Sequence, residues 1–131
     1  SLRDGVARSA PIKGTRPLGR GAELAESVKD RAEHVMIVDL VRNDLGRVAV
    51  PGGVRVERLF APLATPYVEH MVSEVAADVR AGTTAADLLR AVFPGGSVTG
   101  CPKLRAMEVI RELEPAGRGP AFGSVLALGA D

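Results

Sequence analysis

Apolar positions divide the chain into stretches of differing period. Residues 1–21 are rich in Gly, Pro and Arg, with little periodicity, and read as a short strand or loop leading into Pro11-Ile12-Lys13-Gly14-Thr15-Arg16-Pro17. From Ala22 to about Asn43, Leu24, Val28, Ala32, Val35, Met36 and Leu40 recur at three- and four-residue steps, as on one face of a helix, with a break within the stretch left open. Gly46 suits the end of that helix. Val48-Ala49-Val50 and Val54-Arg55-Val56 flank Pro51-Gly52-Gly53, the pattern of two short strands about a turn. Pro66 then opens a predicted helix from Tyr67 to Arg80. Another is predicted over Thr84–Val92, with a threonine cap. A glycine-rich loop, Phe93 to Lys103, feeds a fourth helix from about Pro102 to Leu113, and Phe122–Leu128 reads as a buried strand. The expectation is an α+β fold, mostly helical with strands at its edges.

Composition narrows the class. The chain has 131 residues, 46% of them hydrophobic and 25% charged, with a net charge of +1. This is the balance of a soluble globular protein, and it lacks the clustered basic face of a nucleic-acid binder. Phe60, Tyr67, Phe93 and Phe122 are the only aromatics, too few for a base-stacking platform. Cys101 is the sole cysteine, which excludes an intrachain disulfide and points to a reducing, cytoplasmic setting. No apolar run approaches the ~20 residues of a membrane span. Neither a signal peptide nor a starting Met is present, and both ends read as cuts within a longer protein.

Candidate chemistry sits at three places. In the glycine-rich loop, Gly95-Gly96-Ser97 and the start of the following helix offer backbone N–H groups to an anion. It is not a Walker A loop, because Leu104 follows Lys103. A helix cap without a ligand explains it equally well. Lys13, fixed between Pro11 and Gly14, is a candidate nucleophile if desolvation or a neighbouring cation such as Arg16 keeps its amine neutral; most lysines are instead solvated charges. Asp30 and Glu33 share one helical face and could hold a hard cation, with His34 beside them, or form an ordinary solvated face. His70 lies among apolar neighbours, where a satisfied core histidine is the commoner case.

Taken in order, these segments resemble the chorismate-utilising enzymes. Four blocks carry the resemblance: Pro11–Pro17; Lys29 to Val48, which includes Glu33-His34-Val35-Met36-Ile37-Val38-Asp39-Leu40-Val41-Arg42-Asn43-Asp44; Phe93 to Met107; and Arg118-Gly119 with Gly123-Ser124. The resemblance implies a central fragment, residues 1–131, of one chorismate-binding catalytic domain of four α/β/β/α layers, with antiparallel sheets face to face. It implies that Gly14 and Thr15 contact chorismate, that Glu33 and Asp30 serve a Mg²⁺ site, that His70 is an active-site histidine, and that Gly96 and Ser97 belong to a substrate loop. Lys13 selects within the family: aminodeoxychorismate synthases resemble the chain in Pro-Ile-Lys-Gly-Thr, whereas anthranilate synthases usually carry alanine at that position. That implies an amine-transferring synthase supplied with ammonia by a glutamine amidotransferase, for p-aminobenzoate and folate. Anthranilate synthase component I and a non-catalytic anion-binding module are the alternatives. Ala121, at a usually aromatic place, and Leu18, at a usually basic one, depart from the pattern. Further metal- and substrate-binding residues of the family fall beyond Asp131, so no activity is expected of these 131 residues alone.

Overall fold

The structure, a computed structural model, describes residues 1–129, without the side chain of Ala121. The Ala121 departure noted above therefore lies outside what is described. The chain divides into two compact units, Ser1–Phe93 and a second beginning at Pro94.

The first unit is built on a five-stranded antiparallel sheet. Its strands are β1 (Leu2–Arg3), β2 (Val6–Ser9), β3 (Ile12–Pro17), β4 (Ala49–Ala64) and β5 (Val68–Val79). Strand β5 is central. Along one edge it pairs β2 over Val75–Asp78 and β3 over Val68–Val72, so β2 and β3 continue one another end to end; β4 runs along the other edge. The predicted helix from Tyr67 to Arg80 is therefore this strand. Its apolar residues sit at three- and four-residue steps because a central strand is covered on both faces: Met71, Val72, Ser73, Val75, Ala76 and Ala77 are all buried. A strand buried on both faces loses the alternation that marks a half-exposed one.

Two further expectations change. Pro51-Gly52-Gly53 does not turn between two strands but protrudes as a bulge within β4, whose register passes from Ala49–Val79 to Val54–Ala77. The helical stretch from Ala22 is two helices, α1 (Ala22–Glu26) and α2 (Val28–Gly46). Ser27 separates them, its backbone extended and its hydroxyl accepting the Asp30 N–H at 3.2 Å. That break resets the phase. Val28, Val35 and Met36 are exposed, and the buried stripe of α2 is His34, Val38 and Leu45, with Val41 packed beside it. Val38 and Leu45 meet Ala7, Ala49, Val75 and Ala77 of the sheet in the core, against which Leu88 and Val92 of α3 (Ala85–Val92) also pack. The threonine cap of α3 is present: Thr84 and Asp87 form a reciprocal capping box.

The second unit holds α4 (Gly96–Thr99), α5 (Lys103–Leu113) and a short 3₁₀ turn, Gly119–Phe122. Pro102 caps α5 rather than opening it. Residues 123–129 form no strand, and Val125, Leu126 and Leu128 are exposed. An apolar run becomes a strand only when a neighbour takes its backbone hydrogen bonds.

Candidate functional site

Strand β3 brings most of the candidate residues together, and a bulge positions them. Between the pairs Ile12–Val72 and Thr15–His70, Lys13 and Gly14 both stand opposite Met71. An extra residue bends the strand and re-aims the side chains around it. Gly14 makes the bend possible, with φ at +87°. A Cβ there would also come within 2.8 Å of a Leu24 methyl carbon and 3.7 Å of the Asp30 carboxyl carbon. The Gly14 backbone is thus pressed closely against α1 and α2.

The bulge sends Lys13 toward α2, where its Nζ meets Glu33 Oε2 at 2.5 Å. Lys29 stands 4.0 Å from the other Glu33 oxygen. One turn earlier on α2, Asp30 takes the Arg16 guanidinium at 2.8 Å, and Arg16 also reaches Glu23 at 3.5 Å. Arg16 is therefore committed to carboxylates rather than to the Lys13 amine. Glu33 pushes the Lys13 pKa up, first by accepting its hydrogen bond and then by its charge. In this arrangement Lys13 is an ammonium, contrary to the expectation that a cationic neighbour would neutralise it. The Lys13 bond in turn holds the Glu33 pKa down, and the Asp30 pKa is lowered by the Ser27 hydrogen bond and then by Arg16.

Thr15 faces β5, where its hydroxyl lies 3.0 Å from His70 Nδ1. His70 is thus on the central strand, not on a helix. It lines a cavity of about 240 Å³ with Gly21, Leu24, Phe60, Pro62 and Met71. The Gly21 N–H at one end of that wall is bound by the Glu69 carboxylate. Lys13, Gly14, Thr15, Asp30, Glu33 and His70 therefore meet at one junction of β3, α2 and β5.

As a metal site, the junction offers a carboxylate of suitable chemistry in Glu33, anionic and about one-third exposed. Asp30 is turned to Arg16 instead. Among the described residues, no three His, Cys, Asp or Glu side chains gather as a ligand set. Mg²⁺ commonly takes one or two carboxylates and completes its shell with water and substrate oxygens, so Glu33 fits as a single protein ligand.

Gly96 and Ser97 belong to the second unit. Gly96 is buried at the start of α4 and Ser97 is exposed beside it. The same unit contains a pocket of about 430 Å³ walled by Val98, Met107, Ile110, Arg118 and Phe122. Arg118 is fixed there by Glu114 at 2.6 Å and the Val98 carbonyl at 2.8 Å, with its guanidinium 4.9 Å from the Phe122 ring centre.

Periodicity and spacing alone passed over the carboxylate partners of Arg16, the role of Phe60 and the burial of His34. Neither Arg16 nor Phe60 carries a local signal for these roles, because Arg16 depends on which helices lie over β3 and Phe60 on which strand lies opposite. His34 carries one: it lies four residues before Val38 and eleven before Leu45, on the stripe that α2 buries. Among the described residues, no helix is long and apolar enough to cross a membrane.

Comparison with known proteins identifies the family. The chain is 55% identical over 132 residues to aminodeoxychorismate synthase component 1 of Klebsiella aerogenes, covering 95% of this chain and 29% of that protein. It is 49% identical over 126 residues to anthranilate synthase component 1 of Synechocystis sp., covering 90% of this chain and 25% of that protein. Among solved structures, anthranilate synthase component I from Streptococcus pneumoniae TIGR4 superimposes with a TM-score of 0.72 at 36% identity, over 86% of this chain and 26% of that one. The chain thus spans between a quarter and a third of the length of these relatives. The model of the chorismate binding enzyme family matches residues 1–131, and the chain belongs to that family.

Proposed function

We propose that this chain is the part of an aminodeoxychorismate synthase component I that carries the reactive lysine, converting chorismate and ammonia to 4-amino-4-deoxychorismate. The observation that carries the reading is Lys13, presented at the β3 bulge with Glu33 as its ion-pair partner. The relative from Klebsiella aerogenes named for this activity supports it.

The Lys13 amine, once it has given up its proton, attacks the chorismate ring, and the C4 hydroxyl takes a proton and leaves as water. Ammonia then adds at C4 and expels the lysine amine, so no atom of the protein is consumed. In the resting arrangement Glu33 holds the Lys13 ammonium in place at 2.5 Å. Gly14, whose φ of +87° permits the bulge, would contact chorismate through its backbone. Thr15 holds the His70 ring through Nδ1, leaving Nε2 to face the reactant. For Gly96 and Ser97, at the start of α4 in the second unit, we propose a substrate-binding role. Glu33 would hold Mg²⁺, with Asp30 one turn away; the ion would supply a template for a substrate carboxylate and neutralise its charge. We further propose a glutamine amidotransferase as the ammonia source, p-aminobenzoate and folate as the destination, and the cytoplasm as the setting. The second reading, anthranilate synthase component I, is favoured by the Synechocystis relative and by the Streptococcus pneumoniae structure.

The test uses the full-length protein that contains this chain, with chorismate, Mg²⁺ and ammonium, and identifies the product by mass and chromatography. The expected product is 4-amino-4-deoxychorismate, lost in Lys13→Ala. Anthranilate would move the assignment to the second reading. Chorismate left untouched would leave a binding module of the same fold.

A further inference from the structure

His34 has no exposure to solvent, and the chemistry above leaves it unused. It follows Glu33 on α2, and its two ring nitrogens reach two different strands. Nε2 lies 2.7 Å from the Ser73 hydroxyl of β5, and Nδ1 lies 3.5 Å from the Lys13 carbonyl oxygen of β3. Ser73, equally buried, accepts the Phe60 N–H on its hydroxyl oxygen at 3.1 Å and donates its own N–H to the Pro11 carbonyl at 3.0 Å.

These partners set the direction of the whole chain of bonds. A carbonyl only accepts, so Nδ1 carries the hydrogen. In the neutral ring Nε2 is then an acceptor, and the Ser73 hydroxyl donates to it. The hydroxyl oxygen is left to accept from Phe60. The run Phe60 N–H to Ser73 to His34 to Lys13 carbonyl satisfies every member once, and among the described residues no buried side-chain polar atom lacks a partner.

Both ends of the run stand at irregular points of the sheet. Lys13 stands in the β3 bulge. Phe60 stands in a β4 bulge, between the pairs Arg58–Glu74 and Ala61–Val72, with φ at +56°. A bulky side chain rarely adopts that conformation, and it persists only where the surroundings impose it. Here Ser73 holds the Phe60 N–H, the His34 ring meets the Phe60 ring edge-on at 5.5 Å, and the Arg31 guanidinium lies 5.1 Å from its centre. Phe60 is in turn a wall of the cavity that His70 lines.

We propose that His34 and Ser73 are a positioning pair: without touching substrate, they fix where the Lys13 amine and the Phe60 wall stand. This rests on the reading of Lys13 as the reactive amine. Helix α2 then addresses Lys13 twice, with Glu33 at the side chain and His34 at the backbone of the same residue.

The two halves of the imidazole can be tested separately in the full-length protein. In His34→Asn the amide stands in for Nδ1–H and keeps the Lys13 end; in His34→Gln it stands in for Nε2 and keeps the Ser73 end. For a chorismate-consuming protein, kcat in His34→Asn is expected within about threefold of the parent. His34→Gln, which releases the Lys13 carbonyl, and Ser73→Ala, which releases the Phe60 N–H, should each lose about 10- to 100-fold in kcat with KM for chorismate within about twofold, as small misplacement of a reacting group does. Equal losses in the Asn and Gln variants, the reverse order, or a loss confined to KM would overturn the proposal. So would failure of all three variants to fold, which would make the pair purely structural.

A second readout does not depend on turnover: the rate at which acetic anhydride labels Lys13, followed by mass spectrometry. It should rise at least threefold in His34→Gln and remain at the parent rate in His34→Asn. Unchanged labelling in both overturns the proposal. A parent protein that does not consume chorismate, or a Lys13→Ala variant that still does, sinks the functional reading instead, and the labelling rates still decide the role of His34.

Discussion

Replacing Gly14 by alanine tests the geometry that presents Lys13. Two costs add at this position. The backbone sits at φ +87°, where an L-side chain costs about 1–2 kcal/mol. The new Cβ would lie 2.8 Å from a Leu24 methyl carbon, closer than such atoms come in practice. Leu24 is only 2% exposed, so its methyl group could escape only by turning into the cavity that Leu24 and His70 line, at the expense of its present packing. Overpacking of this kind costs about 1–3 kcal/mol. The sum is a loss of roughly 2–5 kcal/mol, a large part of the stability of an ordinary domain. Urea unfolding of the full-length protein, followed by far-UV circular dichroism, measures it. A double-mutant cycle with Leu24→Ala separates the two parts: the steric component should vanish in the pair, giving a coupling of at least about 1 kcal/mol, while the backbone component stays. A Gly14→Ala protein within about 0.5 kcal/mol of the parent, or a cycle that adds without coupling, would show that the bulge is not held as described.

Stability should also vary with pH in two windows. Burial pushes the His34 pKa below its ordinary value of 6.5, so between that value and its lowered one the unfolded chain binds the extra proton. Stability therefore falls as pH drops below about 6.5, and His34→Gln should abolish that slope in urea titrations at successive pH values. Asp30 and Glu33, with pKa values held below the ordinary 3.8 and 4.5, stabilise the fold above those values and cease to do so as pH falls through the lowered ones. Their window lies wholly below pH 5, and added salt should shrink it. Thr84→Ala removes the hydroxyl half of the α3 capping box and should cost about 1 kcal/mol, read as a lower thermal midpoint, with Thr84→Ser retaining most of it.

What could be read in advance follows from the distance over which each feature is decided. The capping box of Thr84 and the helix after it are local, and they were legible. The α+β class and the residues gathered at Lys13 were legible through the order of the motifs. The central strand was not, because Val68, Val72, Val75 and Val79 fall at helical steps, and only pairing on both edges of β5 distinguishes the two structures. The stripe of α2 was misjudged because one serine resets the helical phase at residue 27. The ionisation of Lys13 was misjudged for a related reason. Arg16 is three residues away in sequence, but Glu33, twenty residues away, is what the amine meets. Chain neighbours describe a side chain's options; the partner element decides its charge.

The packing of α2 and the chemistry at β3 are one geometric problem. The helix presents Asp30, Glu33 and His34 from a single turn, to Arg16, to the Lys13 amine and to the Lys13 carbonyl. The stripe that starts with His34 continues as Val38, Val41 and Leu45, and those residues lock the helix onto β5 and the strands beside it. At 1.5 Å per residue, Leu45 lies about 17 Å along the axis from His34. Rotation of the helix by one residue, about 100°, would expose Val38 and Leu45 and carry Glu33 and His34 off β3 together. The apolar end of the stripe therefore fixes the angle at which its polar end meets Lys13. The Lys13–Glu33 pair at the polar end is about one-third exposed, and salt bridges of that kind stabilise little by themselves. Burial of the valines and Leu45, at about 1.5–3 kcal/mol for each fully buried side chain, is what holds an acid 2.5 Å from a lysine that would otherwise be solvated.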